Sequence, residues 1–387
     1  MKKLFYNLRL TGHHSEYVSH LIDYLYLNKD ENTYIFVLHP EFSKKFPVIA
    51  DKARQIANVK WILATFDEYN DIGLGGMFKK TFSEYKLMHK YAVAYSVDFV
   101  CLLYFNTFQL ALAFYRPPYK ISGILFLQFF RMEKSGLKEK LKYYRKYLTT
   151  LGYSLNSKIN TVFILNDKKG SEYLNKEFNT GIFKMVPDPI PELLPLEGFN
   201  IYQHYNIESG RKIFLHIGGL SDRKGTFEII DAAQFISVEN QIDVAILLVG
   251  KAANDITEET ILKKINFAED KTKVQVVWDN QFVSNSMMKS IFEQCSAVLI
   301  PYKNTEASSG ILGHAVAAHK YVIATGKGLI KELIEENDFG VLIDNVTPPE
   351  IASKIDSFFT LQLNNHFSSQ FLASHTPKEF AELIILN

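Results

Sequence analysis

The feature that most constrains this chain is an alternation, met twice, of short β-rich runs with longer helical stretches. In the first half, strands are expected at Lys3–Leu10, Thr33–His39, Val59–Ala64, Val97–Phe105, Ile121–Leu127 and Thr161–Leu165, with helices such as Glu16–Leu27 and Lys138–Leu151 between them. Strands that alternate with helices pair in parallel and are covered on both faces. Then Pro187, Pro189, Pro191 and Pro195 fall within nine residues, a density no helix or central strand survives. A linker is expected near residues 187–200. The alternation restarts at Lys212–Gly218, Asp243–Gly250, Val274–Trp278, Ala297–Pro301, Tyr321–Thr325 and Val341–Ile343. Its helices are expected at Gly225–Ile236, Glu258–Glu269, Ser286–Gln294 and Gly310–Ala318, with a last helix at Pro377–Ile385.

The pattern predicts an α/β chain of two Rossmann-like, doubly wound domains, 1–190 and 200–387, the second carrying the C-terminal helix. Ligands of open α/β sheets bind at the carboxyl ends of the strands, so a cleft between the domains is the default site. With 387 residues, 47% hydrophobic and 22% charged, the composition is that of ordinary globular domains and excludes a disordered or collagen-like chain. The net charge of +1 gives no electrostatic footprint for nucleic acid. Cys101 and Cys295, the two cysteines, both sit in apolar runs, which predicts buried thiols in a reducing, cytoplasmic compartment. No apolar stretch is long enough to span a membrane, and the N-terminus reads as a first strand and not as a secretion signal.

Two stretches carry candidate chemistry. In the run from residue 214 to 234, a strand ends at Gly218-Gly219, a loop carries Arg223 and Lys224, and a helix opens at Gly225-Thr226. Glycines let a ligand approach the backbone, a helix start offers free N–H groups, and Arg can grip two phosphate oxygens. That set suits a diphosphate, although an ordinary βα turn with solvated cations has the same residues. The spacing is not that of a Walker loop. In the run from 299 to 325, a strand ends at Pro301 and a loop carries Glu306, Ser308, Ser309 and Gly310 ahead of a helix. Ser308 or Ser309 is the expected N-cap, the same residues form an anion nest, and Glu306 can accept hydrogen bonds from a polyhydroxylated group.

In this order and roughly 80 residues apart, the two stretches resemble the C-terminal domain of retaining GT-B glycosyltransferases (glycosyl transferases group 1, or family 4-like). That family's pattern is Gly-Arg-Leu-x3-Lys-Gly, then two glutamates separated by seven residues, then a Gly-x-Pro-Val-Ile strand. Gly219-Leu220 and Lys224-Gly225 fit the first part, Glu306 the first glutamate, and Val322-Ile323-Ala324-Thr325 the strand. Val186-Pro187-Asp188-Pro189 resembles the segment ending the family's first domain, and Gly12 sits where the family has its first glycine-rich loop.

The resemblance implies transfer of a sugar, with retention, from a nucleotide diphosphate sugar to a hydroxyl acceptor such as a surface-polysaccharide or lipid-linked glycan intermediate. It implies Glu306, Lys224 and Arg223 as catalytic groups. Gly218, Gly219, Phe282, Val283, Ser308, Ser309, Gly310 and His314 would hold the donor, with Phe282 and Val283 framing the base. Gly12, His13 and Gln128 would face the acceptor.

Three departures stand out. Gly219 occupies the place of the family arginine, a charge Arg223 can supply. His314 replaces the second glutamate, and Gln128 follows the strand where many members have a histidine. They leave open a non-catalytic GT-B-like scaffold partner and, more remotely, an isomerase acting on the nucleotide sugar. His319 stands where the family has glycine, a residue type that tolerates φ > 0. There is no Asp-x-Asp in the chain, so no metal or other cofactor is expected.

A last segment, Arg131–Lys146, has seven basic residues (131, 134, 138, 140, 142, 145, 146) against Glu133 and Glu139, interleaved with aromatics. A solvated helix face and peripheral contact with the anionic inner face of a membrane both fit such a segment.

Overall fold

The computed structural model describes all residues except 11, 75, 127, 128, 133, 135, 304–308 and 361–368. The chain divides into two compact units. The first comprises Met1–Pro189 with Thr376–Asn387, and the second Ile190–His375.

The first unit is built on a seven-stranded parallel sheet. Its strands are β1 (Lys2–Asn7), β2 (Thr33–Leu38), β3 (Val59–Leu63), β4 (Phe99–Leu102), β5 (Lys120–Leu125), β6 (Ile159–Leu165) and β7 (Phe183–Val186). The spatial order is β3-β2-β1-β4-β5-β6-β7, so the direction of winding reverses between β1 and β4. Successive strand residues face opposite sides. Leu4 and Tyr6 enter one core, whereas Phe5 enters the other beside Phe36, Tyr17 and Leu21. β7 lies beyond the six strands expected from the sequence. It is a four-residue edge strand with two exposed side chains, Lys184 and Met185, too short and too polar to announce itself.

The second unit has a six-stranded parallel sheet of β8 (Lys212–Ile217), β9 (Val244–Val249), β10 (Gln275–Asp279), β11 (Ala297–Ile300), β12 (Tyr321–Thr325) and β13 (Gly340–Ile343). The order is β10-β9-β8-β11-β12-β13, again reversing beside its first strand. β9 is apolar and buried throughout, as expected of a strand covered on both faces. Local chemistry sets the helix starts. Asn254 accepts from the Thr257 N–H at 2.9 Å, and Ser284 from the Met287 N–H at 3.2 Å. His319 has φ 53°, so the turn into β12 keeps its left-handed residue without glycine.

Two expectations need correction. The C-terminal helix Pro377–Leu386 belongs to the first unit and not to a 200–387 domain. Phe380, Ala381, Ile384 and Ile385 bury their side chains in the first unit's core, with the Phe380 ring 4.8 Å from that of Tyr17. Helix His14–Leu27 and the sheet leave an apolar face there that this amphipathic segment covers. Full burial of each large side chain is worth about 2 kcal/mol. Arg131 is likewise no surface cation. It grips Asp167 through two hydrogen bonds, of 2.7 and 2.8 Å, with both side chains almost fully buried. Asp167 also caps helix Lys168–Glu177.

Both cysteines are buried, and desolvation pushes each thiol up to about 12. Among the described residues no helix is long and apolar enough to cross a membrane.

Candidate functional site

In the second unit, β8 hands the chain to a loop whose geometry depends on two glycines. Gly218 has φ 121°, and a Cβ there would stand 2.8 Å from the Lys224 Nζ. The ammonium therefore rests directly against bare backbone. Gly225 has φ 72°, and its Cβ would meet the Pro301 carbonyl oxygen at 2.3 Å. Only glycine lets the loop after β8 touch the end of β11 there. Between them a 3-10 turn, Asp222–Lys224, presents the two cations before helix Thr226–Ala232 begins. Backbone bonds knit this loop to the end of β9: Gly218 N–H donates to Val249 O and Leu220 N–H to Lys251 O, both at 2.9 Å. Among the described residues nothing lies within 4 Å of where a Gly219 Cβ would stand, so the backbone there can take a close ligand.

Behind the loop lies a buried polar chain that the sequence did not announce. His216, inside β8, bonds Leu299 O through Nδ1 at 3.0 Å and Thr226 Oγ1 through Nε2 at 3.1 Å. Thr226 Oγ1 in turn accepts the Ser221 N–H at 3.1 Å. The Leu299 carbonyl can only accept, so Nδ1 carries the proton. Nε2 then accepts from the threonine hydroxyl, whose free lone pair takes the amide. Burial drives the His216 pKa down to about 4; the bond to Leu299 O opposes this and the Lys224 charge adds to it. A neutral imidazole thus fixes the turn that aims Arg223 and Lys224. The signal available in the sequence was a histidine in the apolar run Ile213–Ile217.

The second stretch is clamped to the first. Lys303 N–H donates to Arg223 O at 2.9 Å, and Lys303 Nζ pairs with Asp222 and Glu228 at 2.6 and 2.8 Å. Burial works against the lysine's charge, but these two carboxylates outweigh it and its pKa is raised. Lys303 is therefore neutralised in place. Among the described residues neither Arg223 nor Lys224 has a carboxylate partner. Tyr302, almost fully buried, lies between the two stretches. Lys224 Nζ sits 5.1 Å from its ring centroid, and the Ser309 hydroxyl makes a long 3.4 Å bond to its phenol oxygen. Ser309 occupies the N-cap position of helix Gly310–Ala317, as expected, yet makes no side-chain capping bond. The first-turn N–H groups, Gly310 included, are left without a side-chain acceptor from that cap.

His314 lies half-buried one turn into this helix, its ring 5.7 Å from that of Phe292. Phe282, in the loop after β10, is 76% exposed with Lys251 Nζ 5.8 Å from its ring, and Val283 packs against the core. Glu306, Ser308 and Gln128 lie outside the described residues.

In the first unit, Gly12 has φ 70° and precedes helix His14–Leu27. His13 is exposed, its Nδ1 3.0 Å from Glu16 Oε2. His14 instead turns inward against Tyr104 and Phe126, each ring 5.2 Å away, and its Nδ1 is buried without a partner among the described residues. Burial, with help from the Arg9 and His13 charges, lowers its pKa to about 4.

Residues 199–370 match the family model described as glycosyl transferases group 1. No curated protein matches the chain in sequence. Among solved structures, WaaG, a glycosyltransferase involved in lipopolysaccharide biosynthesis, superposes with a TM-score of 0.66 at 13% identity over 99% of each chain. Anabaena HepE in complex with UDP and glucose gives 0.62 at 16% identity, over 100% of this chain and 96% of that one. A UDP-forming α,α-trehalose-phosphate synthase from Burkholderia vietnamiensis gives 0.68 at 10% identity, over 100% and 99%. The chain therefore has the GT-B fold, and residues 199–370, most of its second unit, are similar to glycosyl transferases group 1.

Proposed function

We propose that the protein is a retaining glycosyltransferase that moves a sugar from a nucleotide diphosphate sugar to a hydroxyl of a surface-polysaccharide or lipid-linked glycan intermediate. One observation carries this reading. Lys224, without a described carboxylate partner, lies against the Tyr302 ring, whose phenol oxygen meets Ser309 at a helix start that this serine does not cap, and Arg223 precedes Lys224 in the same turn. Positive groups fixed in advance beside a helix N-terminus stabilise charge that develops on a departing diphosphate.

In this scheme Lys224 and Arg223 take the growing charge, and the amides at Ser309 and Gly310 share it. Gly218 and Gly219 admit the phosphates to the backbone. Glu306 holds the sugar hydroxyls, His314 the ribose, and the Phe282–Val283 loop the base. Gly12, His13 and Gln128 serve the acceptor. The cations replace a metal in this scheme, in keeping with the absence of Asp-x-Asp from the sequence. HepE, a structure of similar fold, is in complex with UDP and glucose, which supports a nucleotide sugar as the donor class.

Helix Leu137–Ser154 supports contact with an anionic membrane. Leu137, Leu141, Tyr144 and Leu148 form one exposed stripe at helical spacing, each more than 60% accessible. Lys138, Lys140, Lys142 and Arg145 are exposed around it. An apolar face bordered by cations is the form an interfacial helix takes.

Release of nucleoside diphosphate from a panel of nucleotide sugars with hydroxyl acceptors, and the anomeric configuration of the product by NMR, test the reaction. Glu306→Gln should abolish most turnover; full activity in that variant would remove Glu306 from the scheme. Binding to phosphatidylserine vesicles should fall with salt and with Leu141→Glu, and no binding at low salt would exclude the membrane contact.

A further inference from the structure

We propose that the first unit binds a sugar ring bearing an acidic substituent, a carboxylate or a phosphate, in a cavity at the carboxyl edge of its own sheet. The inference rests on the glycosyltransferase reading insofar as that ring belongs to the acceptor. The cavity measures about 440 Å³, within the range of small-molecule sites. Arg9 enters it just past β1, Tyr69 and Ile72 from helix Phe66–Gly73 after β3, Lys80 and Glu84 from helix Met77–Ala94, and Thr107 from the turn after β4. The carboxyl ends of parallel strands, beside the point where the winding reverses, are where such sheets take ligands.

Charge argues for an acid. Arg9 bonds Glu84 at 3.1 Å, and the guanidinium lies 5.1 Å from the centroid of the Tyr104 ring, which orients its fork. Glu84 is buried; desolvation raises its pKa while the Arg9 charge opposes the rise. Lys80 is exposed at the rim and has no carboxylate partner among the described residues. Two cations thus face one carboxyl, and the excess is positive.

Unfinished hydrogen bonding argues for a polar occupant. Among the described residues Arg9 Nε, Thr107 Oγ1 and, close behind, Tyr6 Oη are buried without a well-formed hydrogen bond. The Thr107 hydroxyl lies close enough to Glu84 to favour its ionised form, yet it closes no well-formed hydrogen bond. More than nine in ten buried polar groups in proteins are paired, so three unpaired beside one cavity mark a place that water or a ligand completes. Tyr69 and Ile72 give the lining an apolar part. Tyr69 is held edge-on against His39, with ring centroids 4.3 Å apart, and Ile72 extends that surface. A pyranose has the matching form, with an apolar C–H face, hydroxyls at its edge and, in this class, one anionic group for the Arg9–Lys80 side.

Calorimetric titration of the full chain with glucuronate, galacturonate, glucose 6-phosphate, glucose and inorganic phosphate tests this. At least one acid-bearing sugar should bind about tenfold or more tighter than glucose, and its identity separates carboxylate from phosphate. Lys80→Ala, an exposed position that leaves folding intact by its thermal melt, should weaken that sugar about tenfold and glucose little. Arg9→Lys should weaken it also, because it keeps the charge and loses the fork. Equal binding of all sugars, no binding of any, or inorganic phosphate binding as tightly as the best sugar would overturn the proposal. Nucleoside diphosphate binding, measured on the same samples, separates the two readings. Retained nucleotide binding with no sugar binding defeats this inference alone. Acid-sugar binding without nucleotide binding supports it and defeats the functional reading.

Discussion

Replacing His216 by Gln, in a Trp61→Phe background that leaves Trp278 as the only indole, isolates the buried histidine that braces the phosphate loop. Glutamine can keep both bonds, donating to Leu299 O and accepting from the Thr226 hydroxyl, but it cannot titrate. The native histidine is held neutral, with its pKa lowered to about 4 against about 6.5 in the unfolded chain. Its contribution is fully present above pH 6.5. As pH falls below that value the unfolded state takes up a proton that the folded state refuses, so stability declines until the folded pKa near 4 is passed. Between pH 7.5 and 5.0 that amounts to about 2 kcal/mol. Urea unfolding followed by Trp278 fluorescence reads the second unit, and other titrating groups cancel between the two proteins. His216→Gln should lose about 2 kcal/mol less stability over that interval, at a neutral-pH cost of about 1 kcal/mol for the altered shape. Parallel losses in the two proteins would refute the neutral-imidazole assignment.

Further outcomes follow from the same contacts. Thr226→Val keeps the side-chain shape but strands the Ser221 N–H and His216 Nε2, so the second unit should lose roughly 2–4 kcal/mol and bind nucleoside diphosphates more weakly; unchanged stability would contradict the chain of bonds. Phe380→Ala should cost the first unit about 3–5 kcal/mol, read by Trp61 with Trp278 replaced, and leave the second unit's transition, read by Trp278 with Trp61 replaced, in place. A shift confined to the second unit would show that the C-terminal helix had been assigned to the wrong core.

Much of the architecture is legible in the sequence, because parallel strands buried on both faces write themselves as apolar runs. Six of the first unit's strands and all six of the second were legible in that way. β7 was not, since an edge strand of four residues needs only Phe183 and Val186 buried. The sequence also shows that Pro377–Leu386 has an apolar face, but not which core that face completes. Arg131 read as a surface cation because its partner, Asp167, lies 36 residues away. At the candidate site the glycines and cations were visible as a local motif. The groups that hold them, His216, Tyr302 and Lys303, come from separate strands and loops, and only folding brings them together.

In the proposed scheme the loop from Gly218 to Gly225 and the helix start at Ser309–Gly310 hold a pyrophosphate. Calorimetry with uridine, guanosine, adenosine, cytidine and thymidine diphosphates, on the native chain and on Lys224→Ala, tests it most directly. At least one of them should bind saturably and one-to-one, and tenfold or more weakly to the variant. No binding of any diphosphate, or equal affinity in the two proteins, would contradict it.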